Sequence, residues 1–98
     1  MEIVINGKNH TASKPKAKIW REIMKFDEER TQLPNAEFID KHAEIIASVF
    51  PDVTAVMIID NVDIDEIVPL YYEVFKWICG LLNSKLRKLP NAQTPAEN

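Results

Sequence analysis

The stretch DIDEIVPLYYEVFKWICGLLNSKL, residues 63–86, decides how this chain folds. Ile64, Ile67, Val68, Tyr71, Phe75, Ile78, Cys79, Leu82 and Leu86 recur at spacings of three and four, the stripe of a helix lying on a core. A second row runs beside it: Leu70, Val74, Trp77 and Leu81. Between residues 67 and 82 the two rows wrap more than half of the helix, and the only charges there are Glu73 and Lys76. Such a helix needs neighbours on more than one side. Either its own domain encloses it, or part of the second row docks another protein, as exposed apolar patches usually do. Trp77 and Tyr72 are of the types that anchor such contacts. The candidate interface is therefore Leu70, Val74, Trp77 and Leu81, with Tyr72 beside them. The helix is predicted over about 63–88.

Its start is acidic. Asp60, Asp63, Asp65 and Glu66 crowd into DNVDIDE, residues 60–66. A calcium loop needs oxygen ligands at alternate positions, glycine at the sixth and glutamate at the twelfth. Counted from Asp60, those places hold Asp65 and Tyr71, so the frame fails. Asp63 with Glu66 three residues later instead resembles a capping box. Pro69 complicates a start at Ile64, because its ring would remove a backbone hydrogen bond and kink the first turns. A start near Glu66 or Ile67 avoids this.

Upstream, residues 53–59, VTAVMII, read as a short helix capped by Thr54. AEFIDKHAEIIASVF predicts a helix over about 36–50 with a stripe of Phe38, Ile39, Ala43, Ile46, Val49 and Phe50, broken by Pro51-Asp52. His42, between Asp40 and Glu44, is placed on its polar side. Before it, KAKIWREIMKFDEERTQL predicts a helix over 16–33, with Ser13 as cap and Pro15 in the first turn. Ile19, Trp20, Ile23, Met24 and Asp27 share one face there, and Phe26 widens it. EIVINGKNHTA opens the chain as a hairpin, with strands near 2–5 and 8–12 about Asn6-Gly7. LPNAQTPAEN, residues 89–98, closes the chain, and a disordered tail is expected over 90–98. The expected fold is mainly α: a hairpin and about four helices, the last one longest, in a single domain over 1–89.

Composition narrows the function. The 98 residues suit one domain, and the net charge of −3 gives no overall pull towards nucleic acid. Cys79 is the single cysteine, so no internal disulfide forms, which suits a reducing cytoplasm. No secretory signal or membrane span is expected. His10, His42 and Cys79 are too few and too scattered for a zinc centre. With Gly7 and Gly80 the only glycines there is no phosphate loop, and no catalytic constellation appears. No enzyme, cofactor or metal is expected. Lys14, Lys16, Lys18 and Arg21 surround Trp20, a pattern that also fits a small nucleic-acid-binding regulator. Trp20 on the apolar stripe and the acids from Asp27 onward count against it.

The order of parts resembles the tail assembly chaperones of long, non-contractile-tailed bacteriophages, especially those of Gram-positive hosts. The resemblance rests on MEIVINGK, KPKAKIWREIMKFDEE and DIDEIVPLYYEVFKWICGLLNSKL, and covers about residues 1–89. It implies a small, helical, non-enzymatic protein of the host cytoplasm that self-associates and coats the tape measure protein. It also implies a longer, frameshifted form that recruits the tail tube protein. No family motif for client binding carries over by position, so the interface residues rest on pattern alone. A minor structural component of the virion is a third reading.

Overall fold

A computed structural model describes residues 1–86 of the 98-residue chain. Strands β1 (Glu2–Ile5) and β2 (Lys8–Thr11) form an antiparallel hairpin in which Ile3 faces His10 and Ile5 faces Lys8. Asn6 and Gly7 both take positive φ, 55° and 76°, as a two-residue turn with the right-handed twist of the strands requires. Alternation then buries Ile3 and Ile5 and exposes Val4. Two strands alone are marginal in water. This pair is tied down by the Ser13 amide, which donates to the Val49 carbonyl at 2.9 Å, and by buried His10, whose Nδ1 lies 2.9 Å from an Asp52 carboxylate oxygen.

Four helices follow: α1 (Ala17–Glu29), α2 (Asn35–Ser48), α3 (Ala55–Asn61) and α4 (Ile67–Leu86). The last is the longest, as expected. A single 3-10 turn, Arg30–Gln32, continues α1. Leu33 is then extended, as the residue before Pro34 prefers to be. Ser13 does not cap α1. The helix starts later, with extended Lys16 in the cap position and no side-chain cap, and Pro15 lies outside it. Thr54 does cap α3, its hydroxyl accepting from the Met57 amide at 3.1 Å.

The capping box at Asp63 does not form. The Asp63 carbonyl instead accepts from the Glu66 amide at 2.9 Å, closing a turn ahead of α4. The first bond of α4 runs from the Leu70 amide to the Glu66 carbonyl, at 2.9 Å. Pro69 therefore falls in the first turn, where amides have no helical partner, and removes no bond. The predicted end near residue 88 and the tail over 90–98 lie outside the described residues.

The centre of the fold is α2, which packs against α1, α3 and α4. Its buried face is His42, Ala43, Ile45 and Ile46, continued by Val49 and Phe50. Ile19, Ile23 and Phe26 of α1, Ile58 of α3, and Ile67, Tyr71, Val74 and Ile78 of α4 close on it. Each such aliphatic side chain, fully buried, contributes roughly 1.5–3 kcal/mol.

His42 corrects the sequence expectation of a polar position. It is 0% exposed, with the rings of Phe38, Tyr71 and Phe26 at 4.6, 4.7 and 4.8 Å. The explanation is angular. Successive helical residues are about 100° apart, so Asp40 and Glu44, two places either side, point away from His42. Its Nδ1 donates to the Phe38 carbonyl at 2.8 Å, whereas Nε2 has no partner among the described residues.

Candidate protein-docking surfaces

Helix α4 divides into four bands. Ile67, Tyr71, Val74 and Ile78 are buried and form its core face. Leu70, Trp77 and Leu81 make a half-buried flank on one side, and Val68, Phe75 and Cys79 make another. Exposed Pro69, Glu73, Lys76, Gly80 and Asn83 face water between the flanks. The predicted second row is thus split. Val74 is 0% exposed and belongs to the core, so it presents nothing to a partner in the folded chain. The reason is that an apolar arc this wide gives no cue, by spacing, to where its centre lies. Leu70 and Trp77 pack partly against the core, and Leu81 is half-buried.

Tyr72 sits apart from that row, around the helix. It is 39% exposed, and its hydroxyl accepts from the Arg30 guanidinium at 2.9 Å. This hydrogen bond ties the 3-10 turn to α4 and raises the Arg30 pKa. Tyr71 packs on Tyr72 and Tyr72 on Phe75. Phe75 in turn meets α1, where it stacks on Trp20 with ring centroids 6.1 Å apart and planes at 18°. Burial pushes the neighbouring Tyr71 hydroxyl up to about 12, so it stays neutral at ordinary pH.

That stacking bears on the nucleic-acid reading. Lys14, Lys16, Lys18 and Arg21 are exposed, but Trp20 already has Phe75 on its face and is half-buried. The aromatic platform that the reading needs is occupied within the protein. Cys79 is half-buried beside Phe75 rather than in the core.

A surface not anticipated from sequence lies at the other end of α4. Ile39 of α2, Ile58 and Ile59 of α3, Val62 and Ile64 of the connecting turn, and Ile67 of α4 line a groove of about 140 Å³. All six lining side chains are branched aliphatics. Ile64 is 88% exposed and Ile59 43%. The sequence signal was Ile58, Ile59, Val62 and Ile64 close together among acids, but Ile39 comes from another helix, and only the fold unites them. A larger groove, about 400 Å³, runs between α1 and α2, with Ile19, Phe26 and Ile45 lining it among charged residues. On the turn before α4, carboxylate oxygens of Asp63, Asp65 and Glu66 lie within 4.8 Å of one another. All three residues are exposed, and clustered surface carboxylates of this kind are common without an ion.

Among the described residues, the geometry therefore offers mainly apolar contact surface. The sequence profile of a family described as phage tail chaperone protein matches residues 1–93. The chain belongs to this family. Membership carries a role in tail assembly, with tail proteins as partners and no enzymatic activity. No curated protein and no solved structure matches the chain significantly. Among the described residues of this tail chaperone, no helix is long and apolar enough to cross a membrane.

Proposed function

We propose that this member of the phage tail chaperone family self-associates and binds the tape measure protein during tail morphogenesis in the host cytoplasm. In this reading it is of the type found in phages of Gram-positive hosts, and a longer frameshifted form engages the tail tube protein. The observation that carries it is the incomplete burial of α4: Leu70, Trp77 and Leu81 stay half-buried along one flank, and Tyr72 is exposed beyond the other. A helical client places apolar side chains at spacings of three and four. The flank repeats at seven and four, which is the same periodicity seen from the receiving helix.

The test is co-expression with the tape measure protein. Wild type should keep the client soluble and co-purify with it. Leu81→Lys should lose the client while keeping its circular dichroism and melting temperature, because Leu81 is half-buried and the last turns of α4 bear little of the core. A Leu81→Lys protein that holds the client as well as wild type would refute docking through this flank.

A further inference from the structure

The charges of this chain are segregated. Between Lys41 and Lys76 there is no lysine or arginine, while Glu44, Asp52, Asp60, Asp63, Asp65, Glu66 and Glu73 all fall in that span. The isoleucine groove lies almost wholly within it. Asp60, Asp63, Asp65 and Glu66 each adjoin a lining residue in sequence, and all four are exposed. The groove is thus an aliphatic slot with an acidic rim, and it calls for an aliphatic segment bearing positive charge.

The chain carries such a segment. Residues 85–89 read KLRKL: Leu86 and Leu89 three apart, among Lys85, Arg87 and Lys88. We propose that this C-terminal segment, residues 85–89, docks in the acid-rimmed isoleucine groove of a second copy. Docking within one chain is ruled out by reach. Ile67, in the groove, and Leu86 are separated by nineteen helical rises, about 28 Å. Three further residues to Leu89 add at most roughly 11 Å even when extended. A two-fold contact of groove on groove is disfavoured as well, because it would press two acidic rims together. The contact is therefore heterologous, tail into groove, and it repeats from copy to copy as a ring or an open filament. This deepens the self-association proposed above and rests on it.

Charge exchange tests it in the full chain by sedimentation velocity over a concentration series. A tail variant (Lys85→Glu, Arg87→Glu, Lys88→Glu) and a rim variant (Asp60→Lys, Asp63→Lys, Asp65→Lys) should each shift association to protein concentrations about tenfold higher or more. The six changes combined in one chain should restore it, since the tail and rim again have opposite signs. Ile64→Asp, at a side chain 88% exposed, should weaken association without lowering the melting temperature. Association of wild type that ignores the tail and rim changes, or that the combined variant fails to recover, overturns this contact and leaves self-association standing. A wild type that remains a monomer throughout overturns both. Client capture in co-expression is a separate reading, so its failure alone would count against the α4 flank and not against this contact.

Discussion

Mild acid should destabilise this protein through His42. Burial holds its pKa below the ordinary 6.5; the hydrogen bond to Phe38 opposes this in part, and Arg30 adds to it. The unfolded ring therefore takes a proton near pH 6.5, and the folded one only at lower pH. Between those values the unfolded state binds more protons, so stability falls as pH falls; above about 6.5 this contribution is fully present. One proton difference corresponds to a limiting slope of about 1.4 kcal/mol per pH unit. For a chain of this size, a loss of 1.4 kcal/mol lowers the melting temperature by roughly 5–10 °C. Asp52, held below its usual 3.8 chiefly by the hydrogen bond with His10, loses its contribution only at lower pH and does not mimic the effect. Urea unfolding at pH 7.5, 6.5 and 5.5 reads the slope, with His42→Leu as the control. In that variant the Phe38 carbonyl keeps its helical bond from the amide of residue 42, so no buried acceptor is orphaned. The variant should lie within about 1.5 kcal/mol of wild type at pH 7.5 and lose the slope below 6.5. A flat wild-type profile, or an equal slope in His42→Leu, would refute the assignment.

Further outcomes follow from the packing and the turns. Ile46→Ala, at the fully buried centre of α2, should cost about 2–5 kcal/mol in urea unfolding, the range for emptying a packed site. Thr54→Ala removes the cap of α3 and should cost about 1 kcal/mol, with Thr54→Ser close to wild type. Gly7→Ala places a side chain at φ 76° and should destabilise the hairpin by about 1 kcal/mol, although no atom lies within 4 Å of the added Cβ. A thermal melt unchanged from wild type would count against the turn reading in that last case.

Much of the fold was legible because the signals were local. Asn6-Gly7 demands positive φ whatever surrounds it. Thr54 announces a helix start, and Pro69 argues for the later of the two starts open to α4, which begins at Ile67 rather than near 63. Ser13 and Asp63 misled for a complementary reason: each is a good cap, but other starts were available nearby and the chain uses them. Burial was harder to read. His42 looked polar from its neighbours in sequence, yet Phe38, His42, Ile45 and Val49 lie on one side of α2, and that spacing was there to be seen. Val74 was not decidable in the same way, since nearly every position around it on α4 is apolar. The isoleucine groove was least legible, because it needs α2, α3, the turn and α4 to meet before it exists.

The length of α4 has a practical consequence. None of the residues from Cys79 to Ser84 is fully buried, so the last described turns have little of the core holding them. Short helices without tertiary support open readily in water. Backbone amides there should trade hydrogen for deuterium far faster than those around Val74, and any bound partner should slow them. That end of the rod is thus a built-in occupancy gauge, readable by mass spectrometry with no label on either protein.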